Sequence, residues 1–128
     1  MVKLRLAFAA PVLAAAAFSG AAFAHVQLVK STPAAGAVVA KPTQLVLTFN
    51  EKLIAKFATT TLTMTAMPGM KDHPPMKISG FRSAISKDGK ALTLLMKRPL
   101  VAGTYSLKWA AAGPDAHRIE GSFTFTVK

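Results

Sequence analysis

The chain has 128 residues, 52% of them hydrophobic, and a formal net charge of +11 from 16 Lys+Arg against 5 Asp+Glu. That length accommodates one globular core and not two. Cysteine is absent, which excludes a disulfide framework, thiol redox chemistry and thiolate metal sites. Any metal must then be held by His, Met, carboxylate or a chain amine.

Residues 1–24, MVKLRLAFAAPVLAAAAFSGAAFA, carry Lys3 and Arg5, then an alanine-rich apolar run, then AFA, the small-x-small ending that signal peptidase cuts after. We read them as a secretory signal removed after Ala24, leaving one domain, residues 25–128, that begins at His25. The apolar run approaches the ~20 residues that cross a bilayer. Pro11, Gly20 and the low bulk of alanine nevertheless fit a cleaved leader better than an anchor, and no later segment is long and apolar enough to span. With Lys3 and Arg5 gone, 14 basic residues against 5 acidic ones leave a charge of +9. The lysines are scattered rather than clustered around aromatics, and an exported chain rarely meets nucleic acid, so no nucleic-acid partner is expected. A solvated basic surface, able to meet anionic headgroups or an acidic partner, is the default.

Along the mature segment, QLVLTF places Leu45, Leu47 and Phe49 on one face, the period of two that marks a half-buried strand. Leu62 with Met64, and Leu92 and Leu94 with Met96, give two more such faces. TYSLKW sets Tyr105, Leu107 and Trp109 against Thr104, Ser106 and Lys108, and SFTFTV turns Phe123, Phe125 and Val127 inward. STPAAGA, KDGK, VAG and AAGPDAH supply turns between these runs, and FNEKLIAKFA has room for one short helical turn. Short strands, frequent turns and the lack of an amphipathic helix predict an all-β antiparallel sandwich or small barrel.

The donor residues fall in three places. If His25 becomes the first residue, its amine and imidazole Nδ1 can chelate one ion, a nitrogen set suited to Cu(II). Taken alone, a histidine after a cleavage site is commonly coincidence. Asp115 and His117 stand two apart in GPDAHRIEG; an extended segment would put both side chains on one face, although a lone D-x-H is more often a solvated loop. The stretch MTAMPGMKDHPPM holds four of the six methionines and His73 among Pro68, Gly69, Pro74 and Pro75. Such a segment cannot be a regular helix or central strand. Thioethers beside one imidazole are a soft set suited to Cu(I), which makes Met67, Met70, His73 and Met76 the leading ligands. Met64 continues the Leu62 face and is also a core candidate, whereas Met96 is placed in the core.

The histidine after the leader, STPAAGAVV, LTFNEKL, LTMTAMPGM with the following His and PM, AGTYSLKW, and DAH before GSFTFTV occur together. In this order they resemble the periplasmic copper-binding proteins of the CopC family over essentially the whole mature chain. The resemblance implies a periplasmic location and a Greek-key β-barrel or sandwich, cupredoxin-like or Ig-like, with two copper sites at opposite ends. It implies a Cu(II) site from His25, Asp115 and His117, with Glu51 of the F-N-E motif nearby, and a Cu(I) site from Met64, Met67, Met70, His73 and Met76. All three histidines of the chain then fall on metal positions.

The expected function is that of a non-enzymatic copper carrier or buffer in copper resistance and homeostasis, passing copper to an inner-membrane protein of the CopD type. The competing expectation is a copper-dependent oxidase, because an amino-terminal histidine with a second histidine resembles a histidine brace. Against it, Asp115 would crowd the open coordination position, and no flat aromatic platform for a polymer is evident.

Overall fold

The computed structural model describes residues 25–70 and 74–128; the expected leader, residues 1–24, and His73 lie outside the described residues. Among the described residues nine strands are present: β1 (Leu28–Thr32), β2 (Val38–Val39), β3 (Gln44–Phe49), β4 (Thr59–Ala66), β5 (Met76–Ile78), β6 (Phe81–Ile85), β7 (Ala91–Met96), β8 (Gly103–Ala112) and β9 (Arg118–Val127). A 3-10 turn at Ala55–Phe57 fills the place expected for a helical turn. The strands form a four-stranded sheet, β1-β3-β7-β6, and a five-stranded sheet, β2-β9-β8-β4-β5. All pairings are antiparallel except that of β2 with β9. This is the all-β sandwich that the alternation predicts.

The two sheets close on each other through the faces read from period two. Leu45, Leu47, Leu92 and Leu94 from one sheet meet Leu62, Tyr105, Leu107 and Phe125 from the other, all at most 2% exposed. Each such side chain contributes roughly 1.5–3 kcal/mol by leaving water. Phe49 and Trp109 join the sheets edge-to-face, with ring centroids 5.2 Å apart, and Tyr105 stacks on Phe125 at 5.5 Å. Trp109 lies across the backbone of Gly121, its β9 partner: a Cβ at Gly121 would sit 2.5 Å from the indole Cζ2.

The β8–β9 ladder is the longest pairing among the described residues. It runs without a break from Gly103 paired with Val127 to Ala112 paired with Arg118. Ala111 and Ala112, which the sequence suggests as the start of a turn, still belong to β8. The turn begins two residues later, at Gly113, because both alanines are fully buried and their backbone groups stay paired in the ladder.

Candidate metal centre

The turn that closes the β8–β9 hairpin carries Asp115 and His117. The segment is not extended as the D-x-H spacing suggests. The N–H of Ala116 donates to the Gly113 carbonyl at 2.9 Å, and Ala116 has φ of 61°, a left-handed conformation that costs a residue with a Cβ roughly 1–2 kcal/mol. The N–H of His117 then donates to Asp115 Oδ1 at 3.1 Å. Asp115 and His117 share a face because the chain folds back through a strained residue, a feature that commonly accompanies functional sites.

His25 arrives from the other sheet. Val26, fully buried, pins the chain just before β1. Asn50, at the end of β3, fastens the same segment: its Oδ1 accepts from the Gln27 N–H at 2.7 Å, its N–H donates to the Gln27 carbonyl at 3.1 Å, and its Nδ2 reaches the His25 carbonyl at 3.4 Å. Asn50 was not singled out by the sequence. Its only signal there is its place beside Glu51 in F-N-E.

His25 Nδ1 and His117 Nδ1 each lie 3.2 Å from the same atom, Asp115 Oδ2. Among the described residues, His25, Asp115 and His117 form a group whose ligand atoms all fall within 4.8 Å of one another. The imidazole side chains are 58% and 69% exposed and the carboxylate only 10%, so the anion sits beneath two accessible rings set edge-to-face at 5.2 Å. The His117 N–H, then the His117 ring and charge, and then the His25 ring hold the Asp115 carboxyl below the usual carboxylate range. Asp115 is therefore ionised at neutral pH, and the site offers two imidazole nitrogens and one carboxylate oxygen. Glu51 stands outside this group, its Cβ 3.5 Å from the position a Cβ on Gly113 would take.

The methionines gather at the opposite end of β8. Met64 on β4 and Met76 on β5 are register partners, and Met67 and Met70 bridge across Pro68-Gly69. Gly69 has φ of 78° there, as the third residue of a type II turn requires. Met64 is 3% exposed and joins the core. It fits because Gly103 has no Cβ, which would lie 3.2 Å from the Met64 Cε. Met64, Met67 and Met76 line an apolar cavity of about 390 Å³, whose wall also includes Tyr105. Met96, expected in the core, packs against it and also lines this cavity. Met70 is 54% exposed and lies outside the lining. From Tyr105 to Ala112, β8 at ~3.3 Å per residue separates the two ends by roughly 20 Å.

Fold and donor groups define a β-sandwich with a nitrogen–oxygen cluster at one end and a thioether-lined cavity at the other. Residues 28–128 match the family described as CopC domain, and the chain belongs to the CopC family. Copper resistance protein C of Xanthomonas campestris pv. juglandis is 44% identical over 116 residues, spanning 91% of this chain and 90% of that protein. Copper resistance protein C of Pseudomonas syringae pv. tomato is 42% identical over 130 residues and matches 100% of both chains. Among solved structures, PcoC, a methionine-rich copper resistance protein from Escherichia coli, superposes with a TM-score of 0.73 at 42% identity, covering 82% of this chain and 100% of that one. No helix among the described residues is long and apolar enough to cross a membrane.

Proposed function

We propose that this protein is a periplasmic copper carrier or buffer that serves copper resistance without catalysing a reaction. The observation that carries the proposal is the convergence of His25 and His117, from opposite ends of the domain sequence, on one carboxylate oxygen of Asp115. Two imidazoles and a carboxylate suit Cu(II). Cleavage after Ala24 would free the α-amine of His25, a fourth donor beside its own ring. With a reference pKa of ~7.7–8.0, that amine must lose a proton on binding, so Cu(II) affinity falls as the pH is lowered. Glu51 stands close enough to the turn to act from a second layer.

Cu(I) belongs to the methionine end, where uncharged thioethers suit a soft monovalent ion. Met64, Met67, Met70, His73 and Met76 are the ligand candidates. Separate sites for the two oxidation states permit transfer coupled to reduction, and an inner-membrane protein of the CopD type is the proposed recipient or source. An oxidase of the histidine-brace kind fits less well, because Asp115 Oδ2 already stands 3.2 Å from both Nδ1 atoms. Sustained oxygen consumption by the copper-loaded protein with ascorbate would favour the oxidase.

Changing Met67, Met70 and Met76 together to leucine tests the division of labour. Cu(I) affinity is expected to fall at least ~100-fold, by analogy with the effects of disturbing metal ligation, while Cu(II) affinity stays within ~3-fold. Unchanged Cu(I) affinity in competition with a chromophoric chelator contradicts the assignment.

A further inference from the structure

Three thioethers of the cavity come from the β4–β5 hairpin, but the fourth does not. Met96 ends β7, in the facing sheet, where it pairs with Phe81 and its N–H donates to the Thr43 carbonyl at 2.9 Å. It continues the alternation of Leu92 and Leu94, which are 2% and 0% exposed. Met96 itself is only half-buried and forms part of the cavity wall. The strand thus leaves the closed core at this position and enters the cavity. An apolar side chain suffices for packing there, and the residue present carries a soft sulfur.

We infer that Met96 is a thioether ligand of the Cu(I) site, so that the ion is held between the two sheets rather than by the hairpin loop alone. The inference rests on the reading of this cavity as the Cu(I) site. Cu(I) favours soft ligands and can be satisfied by neutral sulfurs in an apolar enclosure, whereas Cu(II) prefers imidazole and carboxylate donors, and no His, Asp or Glu is in this lining. Lys97 and Arg98 also border the cavity; their aliphatic stems can line it while their charged ends stay in water. Met64, Met67 and Met76 approach from one sheet and Met96 from the other, so bound Cu(I) would cross-link the sheets at this end. Met70, exposed and outside the lining, becomes the least important methionine of the segment.

The test is Met96→Leu in the full chain purified after export, compared with Met67→Leu, Met76→Leu and Met70→Leu. Leucine for methionine conserves volume and is well tolerated in cores, and thermal unfolding of the metal-free proteins checks that the fold persists. Met96→Leu is expected to weaken Cu(I) binding at least ~10-fold and to lower by one the sulfur count from copper X-ray absorption. Met70→Leu, at an exposed position outside the lining, is expected to weaken Cu(I) binding less than Met96→Leu does. Unaltered affinity and sulfur count in Met96→Leu, with weakening in Met67→Leu and Met76→Leu, overturns the role of Met96 and leaves the cavity as the site. No change in any of the four overturns the cavity reading itself. Should Met96→Leu fail to fold, the methyl resonance of Met96 in the unmodified protein decides: it is expected to shift on Cu(I) addition, and an unmoved resonance refutes ligation.

Discussion

Replacing Asp115 with alanine is expected to weaken Cu(II) binding by about 100-fold or more in a competitive titration. One oxygen of this carboxylate stands 3.2 Å from both imidazoles, and the other accepts the His117 N–H. The substitution removes a charged donor and also the group that aims the two rings, and losing an orienting partner alone commonly costs 10–100-fold. Asparagine should recover part of the orientation but not the charge, and so fall between the two. The pH dependence has a definite sign. The Asp115 carboxyl is held below its ordinary value by the His117 N–H first of all, so its contribution to the folded state is complete above the usual carboxylate range near ~3.9. That contribution is lost as the pH falls through the depressed value. Acid therefore loosens the site in the metal-free protein only well below neutrality.

Gly121→Ala is expected to destabilise the scaffold strongly. The added methyl would lie 2.5, 2.7 and 2.9 Å from Cζ2, Cε2 and Nε1 of Trp109. These atoms belong to a rigid ring wedged against Phe49, so no flexible chain end can yield. Overpacking of this kind costs up to ~3 kcal/mol or more, which for a domain of this size lowers the melting temperature by roughly 12–20 °C. Gly80→Ala is the matching control, because nothing lies within 4 Å of its added Cβ, and a shift within ~0.5 kcal/mol is expected. Equal melting temperatures for the two variants would contradict the packing described around Trp109.

The strands legible in the sequence are the central ones. β3, β7, β4, β8 and β9 alternate cleanly because each has one face in the core and a paired neighbour on either side. The four strands that the pattern does not reveal, β1, β2, β5 and β6, are the four sheet edges. Edge strands bury little: β6, FRSAI, has three consecutive exposed residues, and β2 has only two residues in all. Their conformation comes from pairing with a neighbour, which leaves no periodic trace.

The candidate sites divide in a similar way. Donor types and their segments were readable, since His, Asp and Met carry their chemistry in their identity. The meeting of His25 with Asp115 depends on the relation of β1 to the β8–β9 turn across two sheets, and no local spacing encodes it. Spacing even suggested the wrong local geometry for Asp115 and His117, because the left-handed Ala116 cannot be foreseen for an alanine. The contribution of Asn50 is likewise tertiary, made through bonds to Gln27 and His25. Met96 follows the alternation of a core residue, and only the open end of the sandwich turns that position into a cavity wall.

The most direct test of the account is the Cu(II) affinity of a chain that begins at His25 against one that retains Ala24 before it. The two differ by a single residue and have the same imidazoles and carboxylate, but only the first has a free amine on His25. The account predicts tight binding of one Cu(II) by the chain starting at His25 and a loss of about 100-fold or more when Ala24 is retained, with weaker binding toward acid in both. Equal affinities, or an exported protein whose measured mass shows a start other than His25, would contradict it.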